Sequence, residues 1–115
     1  MSLVIRPATV DDLFALVALL RSHDLPVDGF ADLLRASPQH VLVAELNAVV
    51  VGSAALDVHG PHALLRSVAV ARDLAALGVG KRLVSDLLAQ AKASGVTSVY
   101  LLTTTAAAWF PKFGF

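Results

Sequence analysis

The sequence contains no cysteine, which excludes disulfide bonds and any chemistry that depends on a thiol. Lys and Arg total nine, as do Asp and Glu, so no net charge attracts nucleic acid or an anionic membrane. No uninterrupted apolar run approaches the roughly 18–20 residues of a membrane span, and the opening segment MSLVIRPAT has no apolar signal region. We therefore expect a cytoplasmic protein that binds neither nucleic acid nor membranes.

Acidic and metal-binding side chains are also scarce. Glu45 is the only glutamate, and no His or carboxylate pair has the spacing of a metal site, so we expect no metal. Hydrophobic residues make up 57% of the 115 residues, above the usual ~45–50%. This excess suits a sheet covered by helices, and it equally suits an apolar surface kept for a partner. The length indicates a single domain spanning residues 1–115.

Apolar periodicity predicts an alternation of strands and helices. A strand over 2–6 is followed by a helix over 10–22, which Thr9 and Asp12 begin with a capping box. We expect Asp28 to cap a second, shorter helix that ends near Pro38. The remaining predictions are strands over 40–46, 48–57 and 63–70, a helix over 78–94, a strand over 96–103 and a short final helix over 106–112.

The order of these elements predicts the fold class. Three consecutive strands joined by short turns form an antiparallel meander, with a turn at Asn47-Ala48 and a bulge or close approach at Gly52. The later strand–helix–strand order without a returning turn implies a right-handed crossover to a parallel strand. We therefore predict an α/β (α+β) fold with a mixed sheet and helices on both faces.

A glycine-bearing loop enters the long helix and is the strongest local sign of a ligand. Gly78-Val79-Gly80 leads straight into Lys81 and Arg82, where unpaired backbone N–H groups and the helix dipole favour an anion, typically a phosphate. The two cations stand at the unfavourable end of the dipole, which indicates a negative partner outside the chain. The alternative is a plain strand–helix connection in which the glycines only allow close packing.

These elements together resemble the GNAT superfamily of acyl-coenzyme-A-dependent N-acetyltransferases. The resemblance rests on the strand and meander, the glycine loop and the terminal WFPKFGF. More narrowly, LLRSVAVARDLAALGVGKRLV and GVTSVYLLTTTAAAWFPKFGF are similar to small GNAT proteins associated with arsenic-resistance operons. The resemblance implies acetyl-CoA as cosubstrate and a small-molecule amine as acceptor.

The resemblance also implies roles for particular positions. The backbone of Val68, Ala69 and Val70 is expected to pair with the pantetheine arm, in a wedge formed where the strand at Leu101 to Thr103 splays away. The loop from 75 to 80 and the two cations after it are expected to hold the pyrophosphate. The full set implied for the cofactor is Val68, Ala69, Val70, Ala75, Ala76, Leu77, Gly78, Val79, Gly80, Lys81, Arg82 and Thr103.

The chain departs from the family pattern at several positions. Ala75 replaces the usual Arg or Gln at the head of the loop, and Ala76 replaces a glycine. Phe110 occupies the position where many GNAT enzymes place a tyrosine general acid. Relatives continue past the position of Phe115 with one or two more strands. We therefore expect the strand over 96–103 to be an exposed edge, covered by a second copy in a homodimer or left bare by truncation.

No side chain stands out as the catalytic acid or base, so the catalytic residue is unknown from the sequence. Arg66 and Ser67 precede the expected acetyl site, and Arg66 either holds an anionic substrate or forms a structural ion pair. For the other titratable candidates, Glu45, Asp57, His40, His59 and His62, a role as surface or turn residues is the simpler explanation. Three functions stay open: an N-acetyltransferase, an acyl-CoA-binding module without turnover, and a protein that mainly dimerises.

Overall fold

The described part of the chain, residues 3–101 of the computed structural model, forms one five-stranded sheet flanked by three α-helices. The strands are β1 (Leu3–Pro7), β2 (Val41–Leu46), β3 (Val49–His59), β4 (His62–Val70) and β5 (Ser98–Leu101). The helices are α1 (Leu13–Ser22), α2 (Phe30–Ala36) and α3 (Val79–Ala93), and short 3-10 turns span Val10–Asp12, Pro38–His40 and Arg72–Leu77. The predicted final helix lies outside the described residues.

The sheet is mixed, as predicted. Its strands follow chain order from β1 to β5, with every neighbouring pair antiparallel except β4 and β5, which are parallel. A parallel pair requires a crossover, and α3 provides it. The predicted fold class is therefore confirmed.

Two buried clusters show that the helices cover both faces of the sheet. On one face Leu16 and Leu20 of α1 pack with Phe30 and Leu34 of α2. On the other face α3 buries the apolar stripe that its sequence predicts, with Leu83, Val84 and Leu87 fully enclosed. Each helix presents residues three or four apart to the sheet, which is the spacing of one helical face.

The predicted cap of α2 is wrong. Gly29, and not Asp28, is the residue that precedes the first turn, with a left-handed φ of 74° and no capping hydrogen bond from a side chain. Its carbonyl accepts the first helical hydrogen bond, from the amide of Leu33 at 3.0 Å. Glycine adopts this conformation without the penalty that a Cβ brings. The helix therefore begins by backbone geometry alone.

The turn between β2 and β3 is the predicted two-residue loop, and it forces an alanine into a left-handed conformation. Asn47 and Ala48 have φ values of 50° and 68°. Two positive φ angles in a row characterise a type I′ hairpin turn, in which the second position favours glycine. Asn tolerates this region, whereas alanine loses about 1–2 kcal/mol there.

Ala48→Gly is expected to raise the free energy of unfolding by about 0.5–1 kcal/mol, because relief of the left-handed strain exceeds the entropy that glycine adds to the unfolded chain. Urea denaturation measures the change. Ala89→Gly, at an exposed position inside α3, is the matched control and is expected to lower it by about 0.8–1 kcal/mol. If Ala48→Gly lowered the free energy of unfolding as much as Ala89→Gly does, the strain at Ala48 would be contradicted.

An ion network joins the N-terminal strand to the rest of the sheet. Arg6 donates to both carboxylate oxygens of Asp12, at 2.8 and 2.9 Å, and to Glu45 Oε2 at 2.7 Å. Asp12 also accepts a hydrogen bond from the backbone amide of Thr9 at 2.8 Å, which forms part of the predicted capping box. Asp12 is only 9% exposed. The single glutamate is thus a structural ion-pair partner.

This network makes stability depend on pH at the acidic end. The hydrogen bond from Arg6 is the main reason that the pKa of the Asp12 carboxyl lies below its ordinary value. Because the folded pKa is the lower one, Asp12 contributes its full stabilisation above the ordinary carboxyl range. It loses that stabilisation as the pH falls through the folded pKa.

Asp12→Asn is therefore expected to lower the free energy of unfolding by about 1.5–3 kcal/mol at neutral pH, the range for hydrogen bonds to charged groups. The difference from the native protein should shrink steadily as the pH is lowered into the acid range. Denaturation at a series of pH values measures it. Asp11→Asn, at the exposed neighbouring position, is the control. A difference that stays constant with pH would overturn this role of Asp12.

Candidate functional site

The central feature of the site is a bulge in β4 at Arg66 to Val68. Arg66 stands opposite Ala55 on β3, whereas Ala69 stands opposite Ser53, so that Ala54 faces two residues of β4. Ser67 takes a left-handed φ of 59° at this point. Such a conformation costs of order 1–3 kcal/mol in a residue other than glycine and persists only where the surroundings enforce it. Bulges of this kind redirect side chains and often lie beside active sites.

The bulge changes which residues of β4 face each side of the sheet. Before it, Ala63 and Leu65 belong to the cluster under α3, whereas after it Val68 and Val70 pack on that same face. Ala69 instead belongs to the cluster under α1 and α2. The extra residue in β4 therefore reverses the alternation of its side chains beyond the bulge.

Beyond the bulge, one edge of β4 has no partner strand within the described residues. The parallel pairing with β5 runs from His62 opposite Ser98 to Leu65 opposite Leu101. On the other side, the amide of Ala71 donates to Val51 of β3 at 2.7 Å. Because backbone groups alternate along a strand, the amides of Val68 and Val70 point to the open side. An open strand edge can pair with an extended chain.

The glycine loop follows at the same end of the sheet. It contains the 3-10 turn Arg72–Leu77, which includes Ala75, Ala76 and the exposed Leu77, and then Gly78 with a left-handed φ of 77°. Gly78 precedes α3 and has no side chain that could cap it, and within residues 3–101 no other side chain bonds to the first amides of the helix. That arrangement favours an anion.

The first turn of α3 divides its residues between the core and the surface. Val79 and Gly80 are buried, whereas Lys81 and Arg82 are exposed. Within residues 3–101 neither cation forms a salt bridge. In this part of the chain, two positive charges without a salt-bridge partner therefore accompany the amides at the start of α3, which adds to the attraction for a phosphate.

Arg66 links the bulge to the loop between α1 and α2. Its Nη2 donates to the carbonyl of Asp28 at 2.9 Å and its Nε donates to Ser67 Oγ at 3.2 Å. An arginine has five N–H donors, so three remain without a partner among the described residues. No carboxylate there neutralises its charge. The structural ion pair considered from the sequence is thus not formed in this part of the chain.

The histidine candidates and Asp57 lie at the far end of the β3–β4 hairpin or elsewhere. His59 contacts Asp57 at 3.0 Å, and His62 packs against Tyr100 with ring centroids 6.0 Å apart. Six residues of strand, about 20 Å at ~3.3 Å per residue, separate His62 from Val68. His40 lies in the 3-10 turn before β2, because the strand begins one residue later than the sequence predicted. The structure therefore does not bring these groups to the bulge.

Sequence reasoning missed Ser53. It is fully buried, and its Oγ donates to the carbonyl of Ser67 at 2.7 Å. The available signal was a lone hydroxyl in the apolar run VVVGSAAL, directly after a glycine that itself indicated a bulge. A buried hydroxyl requires a hydrogen-bond partner, and the strained residue of β4 supplies it.

Two predicted positions, Thr103 and Phe110, lie outside the described residues. Within residues 3–101, no three or more His, Asp or Glu side chains lie close enough together to hold a metal ion. In the same part of the chain, no helix combines the length and apolar character that a membrane crossing requires.

Comparison with known proteins is consistent with this geometry. A model described as "Acetyltransferase (GNAT) family" matches residues 9–115. An amino-acid acetyltransferase from Ralstonia nicotianae is 31% identical over 118 residues, which cover 96% of this chain and 26% of that protein. The chain thus spans about a quarter of the length of this curated relative.

Solved structures share the fold. Ard1 from Thermoplasma volcanium matches with a TM-score of 0.88 and 21% identity, covering all of this chain and 83% of that one. Rv2747 from Mycobacterium tuberculosis, solved with CoA, matches with a TM-score of 0.82 and 28% identity, covering 96% of this chain and 70% of that one. N-acetylglutamate synthase from Neisseria gonorrhoeae, solved with coenzyme A and N-acetyl-glutamate, matches with a TM-score of 0.83 and 21% identity. The match covers 98% of this chain and 28% of that one.

Proposed function

The chain belongs to the GNAT acetyltransferase family, and on that basis we propose that it transfers an acetyl group from acetyl-CoA to the amine of a small molecule. One observation carries the proposal. Within residues 3–101, the side of β4 that faces away from β3 after the bulge has no partner strand, and it leads directly into a glycine loop and the N-terminus of α3. The edge of β4 suits an extended amide-bearing arm, and the loop with the helix N-terminus suits a diphosphate. Relatives solved with coenzyme A support the same ligand.

The residues present fit acetyl-CoA in three parts. The backbone of Val68, Ala69 and Val70 would pair with the pantetheine arm, with the open amides of Val68 and Val70 as donors. The loop from Ala75 to Gly80 would hold the pyrophosphate by its backbone, with Lys81 and Arg82 adding charge. Ala75 supplies no side-chain donor, so the helix N-terminus would do most of the binding. Thr103 is proposed to line the acyl end of the same wedge.

Catalysis would depend on position more than on a dedicated acid or base. Bound acetyl-CoA would supply the thioester carbonyl that the amine attacks. Backbone donors at the open edge would stabilise charge that develops on that oxygen, and holding the two reactants together supplies several kcal/mol. The C–S bond of the thioester would then break, and CoA would leave as a thiolate. The proton that the amine loses, through water or an unidentified base, balances the proton that the thiolate takes up. Phe110 in place of tyrosine is consistent with such a mechanism.

For the acceptor, we infer an amine that also carries a carboxylate or another anionic group. Arg66 supports this, because its half-buried guanidinium has unused donors and no carboxylate partner in residues 3–101. Arginine matches a carboxylate through two parallel hydrogen bonds. Ser67, beside it, would complete the acceptor site. The names of the amino-acid acetyltransferase and N-acetylglutamate synthase relatives support the same class.

A second candidate is an acyl-CoA-binding module without turnover. Ala75 and Ala76 depart from the family's loop, and Phe110 has no proton to give to a leaving group, and these departures favour binding without turnover. The narrower resemblance to arsenic-resistance-operon proteins stays a prediction, and so does the homodimer. Neither prediction identifies the amine that accepts the acetyl group.

Gly80→Asp is expected to abolish acetyl-CoA binding in isothermal calorimetry, because a carboxylate in the first turn repels the pyrophosphate. Ala89→Asp is the charge-matched control on the same helix, about 13 Å further along it and beyond the ~8 Å Debye length. It should leave the affinity within about twofold.

Since Gly80 is buried, Arg82→Glu at an exposed position provides a second variant that preserves the core, and it should weaken binding severalfold. Thermal melts confirm that each variant is folded. Unchanged affinity in both Gly80→Asp and Arg82→Glu would refute the pyrophosphate assignment. Native protein that shows no heat with millimolar acetyl-CoA would refute the proposed function itself.

Arg66→Gln is expected to remove a preference for anionic acceptors. The assay follows thiol release from acetyl-CoA with α-amino acids and with the matching amino amides, which lack the carboxylate. The native protein should favour the acids. The variant should lose about tenfold or more of that preference, mainly through KM, in line with a charged hydrogen bond. An equal loss for acids and amides would assign Arg66 a structural role only.

A further inference from the structure

Ser53 occupies an unusual position for a polar side chain. It lies on β3 with no exposed surface, and Ser53 and Asp12 are the only buried polar side chains in the part of the chain that the structure describes. The register places Ser53 between Val43 of β2 and Ala69 of β4, on the face covered by α1 and α2. Its hydroxyl crosses to the neighbouring strand and donates to the carbonyl of Ser67 at 2.7 Å.

That hydrogen bond acts on the strained residue of the bulge. Ser67 has a left-handed φ of 59°, and the bulge takes it out of the regular pairing with β3. A backbone carbonyl displaced from a ladder requires another partner. The Ser53 hydroxyl is that partner, so the bond exists only when β4 adopts the bulged register. It therefore stabilises that register against regular pairing.

The register decides what the open edge presents. A shift of one residue reverses the alternation of a strand, which would turn the amides of Val68 and Val70 toward β3. We propose that Ser53 is a positioning residue that holds β4 in the register required for acetyl-CoA, although it contacts no ligand. The consequence for acetyl-CoA binding rests on the proposed function, whereas the effect of Ser53 on the register of β4 is a property of the protein alone.

The first experiment measures the register without ligand. Cross-strand nuclear Overhauser contacts between residue 53 and Ala69 report the pairing after the bulge. Ser53→Ala should weaken these contacts and add those of regular pairing. In the double variant Ser53→Ala/Ser67→Gly they should return, because glycine adopts the left-handed φ without penalty. Val43→Ala, which empties a neighbouring buried position on the same face, should leave them intact.

The second experiment separates the two ends of the cofactor. Ser53→Ala should weaken acetyl-CoA binding about tenfold, the loss expected for a hydrogen bond whose carbonyl is left unpaired. Its affinity for adenosine 3′,5′-bisphosphate, which lacks the pantetheine arm, should stay within about twofold. Ser67→Gly in the same background should restore most of the acetyl-CoA affinity. A general destabilisation of the protein would weaken the binding of both ligands alike.

Unchanged cross-strand contacts in Ser53→Ala would overturn the inference, as would parallel losses for both ligands. A failure of glycine to restore the register would do the same. If the native protein binds no acetyl-CoA, the proposed function fails, and the cross-strand contacts still decide whether Ser53 sets the register.

Discussion

A single insertion in β4 governs the geometry of this protein's site. Opposite Ala54, β4 carries two residues instead of one, and Ser67 is held at a left-handed φ. From there on, the alternation of β4 is reversed and Val68 and Val70 lie on the face of α3. One local irregularity thus sets the direction in which the amides of Val68 and Val70 point.

The helix that follows is held close to the same region. A Cβ at Gly52 would stand 3.0 Å from Leu83 Cδ1 and 3.4 Å from the carbonyl of Ala69. Contacts this short mean that α3 packs against bare backbone where β3 and β4 pair after the bulge. The start of α3 and the open edge are therefore fixed relative to one another, as a ligand that spans both requires. Rigid elements position such sites better than loops do.

Local patterns in the sequence predicted most of the fold. The spacing of apolar residues such as Leu83, Val84 and Leu87 indicates a helix face, and the meander follows from strands separated by short turns. Features that depend on distant contacts were beyond such reasoning. The Arg6 network joins residues 39 positions apart, and the Ser53 bond acts on a strand whose register no local pattern specifies. Asp28 was a reasonable cap by residue type, but Gly29 could adopt the required φ.

Val68 and Val70 are the backbone donors that we propose to meet the cofactor. Amide hydrogen exchange with and without acetyl-CoA measures this directly, residue by residue. We expect exchange at Val68 and Val70 to slow on binding, while Ala69 and Ala71, whose amides already face β3, change little. Slowing at Ala69 and Ala71 without change at Val68 and Val70 would contradict the account.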